Sequence, residues 1–130
     1  FLTVLDEFGA YQAMIERELE RFLPFLATTK VLVAAVRAGM GRETAHEVIR
    51  EHAVAVALAM RTNGADNDLI DRLADDSRLP LDRAALDALL TDRLSFTGVV
   101  SDQIAAVVAE VQSVVARYPE AATYHTAAIL

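Results

Sequence analysis

The chain has 130 residues, with 12 Lys+Arg against 19 Asp+Glu for a net charge of −7, 54% apolar residues but only 6% aromatic ones, and no cysteine. That length suits one domain with a real core, built mainly from Ala, Val and Leu, which favours closely packed helices. One lysine, Lys30, and scattered arginines form no basic face for phosphates, which argues against nucleic acid as a partner. Without Cys there are no disulfides or thiolate zinc sites, a composition that suits the cytosol. Arg37, Arg42 and Arg61 interrupt the longest apolar runs before the roughly 18 residues of a membrane span, so no membrane partner is expected.

In chain order, Phe1 to Phe8 carries apolar residues at helical spacing and runs into Gly9, a stop signal. Nothing in Phe1-Leu2-Thr3-Val4-Leu5 starts a helix or resembles a signal peptide. The chain is therefore expected to be a piece of a longer one, cut within a helix, with Leu2, Leu5 and Phe8 left exposed. A second helix is expected from about Gln12, with Ile15, Leu19, Phe22 and Leu23 on one side and Glu16, Arg17, Glu20 and Arg21 on the solvated side. Pro24 should kink or restart it, because proline lacks an amide donor and disfavours a helical Leu23.

Thr28 or Thr29 is expected to cap a new helix, in which Val31 to Val36 should be buried on most sides. Gly39-Met40-Gly41 ends that helix. From about Arg42 to Arg61, the positions Ala45, Val48, Ile49, His52, Ala53, Val56 and Met60 form the clearest helical stripe in the chain. A turn at Thr62 to Asn67 precedes a short helix capped by Asp66 or Asn67, and Asp82 reads as the cap of a helix from Arg83 to Leu90. Thr91 to Val100 reads as a loop anchored in the core by Phe96. Ser101 should cap a last helix, Asp102 to Arg117, that turns Ile104, Val107, Val108, Val111, Val114 and Val115 inward. Pro119 stops it. No segment alternates with period two, so the reading is all-α.

The residues that carry chemistry elsewhere do not assemble in this pattern. His46 and His52 are six apart, about 240° around a helix, and cannot share a metal; His46 reads as a surface or packing residue and His52 as a core histidine. His125 lies in the tail beside Tyr124. The acids at Asp66, Asp68, Asp71, Asp75 and Asp76, with Asn67, lack the spacing of a calcium loop and fit helix capping better. Ser77, Ser95, Ser101 and Ser113 have no neighbouring histidine, and Gly39-Met40-Gly41 is not followed by the lysine of a phosphate loop. The residues alone give no catalytic, cofactor-binding or metal-binding assignment.

A series of strings carries more. Ile15-Glu16-Arg17, Leu23-Pro24-Phe25-Leu26-Ala27-Thr28, Val36-Arg37-Ala38-Gly39, Arg42 to Arg50, Gly64 to Arg72 and Ser95-Phe96-Thr97-Gly98 together resemble the C-terminal region of the adenylosuccinate lyases, within the fumarase and argininosuccinate lyase superfamily. The resemblance covers roughly residues 15 to 110. It implies the helical C-terminal domain of the fumarase/aspartase-type fold at 10–117, preceded at 1–9 by the end of a central-bundle helix and followed at 118–130 by a tail. It implies cleavage of adenylosuccinate to AMP and fumarate, and of succinyl-aminoimidazole carboxamide ribotide to its carboxamide ribotide and fumarate, within purine biosynthesis.

The partners it implies are the remainder of the lyase chain, the other subunits of a homotetramer and, in the full enzyme, the purine nucleotide. The family's serine base on a signature loop, its histidine acid and its phosphate-holding Arg/Ser/Arg group match nothing here, so no catalytic residue carries over and no cofactor is implied. A free-standing helical binding or assembly module is the alternative.

Overall fold

The seven-residue stretch Leu69–Asp75 is too short to hold a helix by local hydrogen bonds alone, yet it is fully formed, because Leu69, Ile70 and Leu73 are buried against its neighbours. In the computed structural model, which describes residues 2–123, such tertiary packing organises the elements from Gln12 to Phe96. Every regular element among the described residues is helical. The protein is all-α.

The chain divides into two compact units, Gln12–Phe96 and the pair of segments Phe1–Tyr11 and Thr97–Leu130. The first unit holds α2 (Gln12–Leu26), α3 (Thr28–Arg37), α4 (Arg42–Asn63), α5 (Leu69–Asp75), α6 (Arg83–Thr91) and a 3-10 turn at Arg93–Phe96. Helix α4 is its spine. Helices α3 and α5 pack on α4, α6 packs on α5 and α3, and α2 lies against α3 and α5. The α4 stripe behaves as its spacing predicts: Ala45, Val48, Ile49, Val56 and Met60 are buried, and His52 and Ala53 are half-buried. They meet Val31 and Ala35 of α3, the α5 apolar residues, Leu79 and Leu86 in one continuous core.

Local signals set several boundaries. Gly39 has φ +96°, while the Met40 amide donates to Ala35 O and the Gly39 amide to Val36 O, both at 3.0 Å. This double closure satisfies the last carbonyls of α3. Gly64 takes the left-handed conformation (φ 64°) that ends α4. Asp82 caps α6 as expected, its Oδ1 accepting from the Ala85 amide at 2.8 Å. Asp82→Ala is expected to cost about 1 kcal/mol, read as a lowered urea midpoint with an unchanged slope.

Other expectations are corrected. Helix α2 does not restart at Pro24 but runs through it to Leu26; Leu23 and Pro24 are both buried, so packing holds the turn despite the missing amide. Thr28 does not cap α3. Ala27 stays helical (φ −74°, ψ −12°), and Thr28 Oγ1 instead donates to Phe25 O at 2.7 Å. In α3 only Val31 and Ala35 are buried, whereas Val33 and Val36 are exposed. Phe96 is half-buried outside the core: the Lys30 ammonium lies 3.6 Å from its ring centroid and also donates to Ser95 Oγ.

The second unit contains α1 (Leu2–Asp6), α7 (Val100–Arg117) and a 3-10 turn at Pro119–Ala122. Leu2, Leu5 and Phe8 are exposed, and α1 ends three residues before Gly9, whose φ is not left-handed. Helix α7 starts at Val100, with Val99 at its N-cap and no side-chain cap, so Ser101 lies inside the first turn. Its expected inward stripe is open: Ile104, Val107, Val108, Val111 and Val114 are exposed and Val115 is half-buried. The readings placed on Phe1, Tyr124, His125 and the end of the tail lie outside the described residues.

Candidate functional site

A polar group on the apolar stripe of α4 needs a partner to offset its desolvation. For His52 that partner is Asp76, 24 residues on, in the connection between α5 and α6. His52 Nε2 lies 2.7 Å from Asp76 Oδ2, and the two side chains are 20% and 10% exposed. Asp76 also accepts from the Arg78 guanidinium at 2.6–3.1 Å and from the Arg78 amide at 2.9 Å. Arg78 reaches across to Glu51 of α4 at 3.0 Å. The Arg78 guanidinium and then the His52 imidazole hold the Asp76 carboxyl well below the usual carboxylate range, against a smaller opposing effect of burial.

An ionised carboxylate only accepts, so His52 Nε2 carries the proton of this hydrogen bond. The nitrogen faces Asp76, and both Asp76 oxygens are occupied. The arrangement is a clasp between α4 and the α5–α6 connection. It borders an open cleft of about 550 Å³ lined also by Arg72, Asp75 and Ser77.

The remaining candidates separate. His46 is exposed on another face of α4, at a shallow groove with Thr28, Leu32 and Arg50, and Arg50 is paired with Glu47 at 2.6 Å. That pairing holds the Glu47 carboxyl below its ordinary value. The acids that follow Gly64 do not converge on a cation. Asp68 pairs with Arg72 at 2.9 Å, Asp71 with Arg83, and Asp76 belongs to the clasp. Among the described residues no group of three His, Cys, Asp or Glu side chains is placed to hold a metal ion.

Asn67 joins two elements. Its Oδ1 accepts from the Leu69 amide at 3.1 Å at the start of α5, while its Nδ2 donates to Arg21 O of α2 at 2.8 Å. The N-cap of α5 is Asp68, without a side-chain cap bond, so the cap expected at Asp66 or Asn67 is not formed; Asn67 instead closes a turn onto the Leu69 amide just ahead of the helix. Beside it, Arg17, Glu20, Arg21 and the Gly64-to-Asn67 turn line a polar cleft of about 470 Å³. The Asn67–Arg21 link is 46 residues apart in sequence and the His52–Asp76 pair 24, so local spacing reveals neither. The one available signal was His52 itself, a polar residue on an otherwise apolar stripe.

These features define an all-α domain in which the pairs His52–Asp76, Arg78–Glu51 and Arg83–Asp71 tie one element to another. Residues 24–107 match the family described as adenylosuccinate lyase C-terminus, and the chain belongs to that family. It is 33% identical over 103 residues to adenylosuccinate lyase of Saccharomyces cerevisiae and 30% identical over 102 residues to that of Schizosaccharomyces pombe. The matches cover 79% and 78% of this chain but 21% of each relative. Adenylosuccinate lyase of Schistosoma mansoni is 34% identical over 80 residues, 58% of this chain and 17% of the relative. The chain thus spans about a fifth of the length of the curated relatives it matches. No helix among the described residues is long and apolar enough to cross a membrane.

Proposed function

We propose that this chain is the C-terminal part of an adenylosuccinate lyase, a carbon–nitrogen lyase of purine biosynthesis that acts in the cytoplasm as a homotetramer. The family match over residues 24–107 carries this reading. The full enzyme cleaves adenylosuccinate to AMP and fumarate, and succinyl-aminoimidazole carboxamide ribotide to its carboxamide ribotide and fumarate. A base removes the proton beside a carboxylate, the resulting carbanion is stabilised, and an acid protonates the departing nitrogen. Residues 1–9 form the end of a central-bundle helix, 10–117 the C-terminal domain and 118–130 a tail. The domain packs against the bundle and helps cover the active-site cleft, a structural and gating role.

The purified 130-residue chain is expected to release no fumarate from adenylosuccinate, followed by the loss of substrate absorbance. Turnover by the chain alone would contradict this division of labour. The reading frame upstream of Phe1 tests the lyase assignment itself: it should encode the Ser-containing signature loop, and a frame without it overturns the assignment. The second reading, a free-standing assembly module, is favoured by the apolar face that α7 leaves open.

A further inference from the structure

The exposed residues of α7 repeat with a regularity that solvent exposure does not require. Val100, Ile104, Val107, Val111 and Val114 follow one another at spacings of four, three, four and three, and all are between 42% and 58% exposed. This is the seam of a coiled coil, in which a 3.5-residue repeat keeps one stripe facing a partner helix. The seam is also a palindrome. Turned end over end about Ala109, it places Val107 opposite Val111 and Ile104 opposite Val114, with Val100 meeting the end of the other helix.

An isologous contact between two identical helices has that property: if one residue meets a second, the second meets the first. The charges select the same orientation. Asp102 lies in the first turn of α7 and Arg117 in the last. An antiparallel second copy sets each acid level with the other copy's arginine and opposes the two helix dipoles, whereas a parallel copy aligns like charges and like dipole ends. Only Glu110 opposes the pairing, because the two-fold axis brings it near its own counterpart.

We propose that α7 is a self-association surface, and that its occupant is α7 of a second copy of this chain, antiparallel, with Val107 and Val111 in the central layers. The inference is independent of the lyase reading. A helix of 18 residues offers only about two and a half heptads, so the pairing is concentration-dependent.

Sedimentation of the intact chain over an about 100-fold range of concentration is expected to show a monomer–dimer equilibrium. Val107→Glu with Val111→Glu should weaken it about 100-fold or more, with helicity kept by circular dichroism, because both central layers would bury carboxylates. Glu110→Gln should instead tighten it about 3-fold by removing the like-charge pair. A natively cysteine-free chain allows a direct test of orientation. A mixture of Val107→Cys and Val111→Cys chains should oxidise to a crossed disulfide that neither forms as efficiently alone.

Efficient cross-linking of each cysteine variant with itself would mean parallel pairing and would overturn the proposal. So would a chain that stays monomeric throughout, as expected if another segment of a longer lyase covers the stripe. Self-association that the double Val→Glu change leaves intact would place the interface elsewhere and also overturn it.

Discussion

Leu73→Ala is expected to lower the stability of the Gln12–Phe96 unit by about 4 kcal/mol, a large part of the roughly 5–15 kcal/mol that holds a small domain together. Leu73 has no exposed surface and sits in the shared core with Leu69, Met60 and Leu86. Truncation removes the transfer free energy of the lost methyl and methylene groups and leaves a cavity that the surrounding helices only partly close. The effect is sharpened because α5 is seven residues long and depends on its buried leucines to stay helical. Urea unfolding followed by circular dichroism measures it. Leu58→Ala, at an exposed position of α4, is the control and should cost less than about 1 kcal/mol. Equal losses at the two positions would show that the core does not run through α5.

The contrast between α4 and α7 shows how far the sequence reaches. Both carry apolar residues at clean helical spacing, and both are helices where that spacing predicts them. On α4 the stripe is buried; on α7 the equally regular stripe is open. Periodicity reports which side of a helix is apolar but carries no information about what covers it, because the partner is fixed by distant residues or by another chain.

Capping signals show the same limit at short range. Asp82 caps because the residue before α6 is extended (φ −81°, ψ 173°) and its carboxylate faces the Ala85 amide. Thr28 has similar capping chemistry, yet the chain enters α3 directly from a helical Ala27, so its hydroxyl finds a carbonyl instead. The candidate site was legible only in part. His52 stands out on its stripe, but its partner Asp76 and the bridge from Arg78 to Glu51 depend on how α5 folds back on α4.

That clasp gives the protein an acid-sensitive joint, and Asp76 is its centre. Its carboxyl is held well below the ordinary Asp value of about 3.9 by Arg78 and His52, so the unfolded chain takes up a proton there before the folded one does. The sign follows from the depression. The stabilisation is complete above the unfolded-state value, and it is lost progressively as pH falls below about 3.9 towards the lower folded value.

Asp76→Ala is expected to cost about 2–3 kcal/mol at pH 7, because it strands a half-buried imidazole and removes the acceptor of the Arg78 amide. Asp76→Asn keeps a neutral acceptor for one partner and should cost less, while removing the titrating group. Urea midpoints at pH 7, 5, 4 and 3 separate the contributions. The unsubstituted chain should lose stability steeply between the last two, and Asp76→Asn should show a flatter acid limb. Parallel acid limbs for the two proteins would mean that other carboxylates govern the acid response, and that the His52–Asp76–Arg78 joint does not couple α4 to the α5–α6 connection in solution.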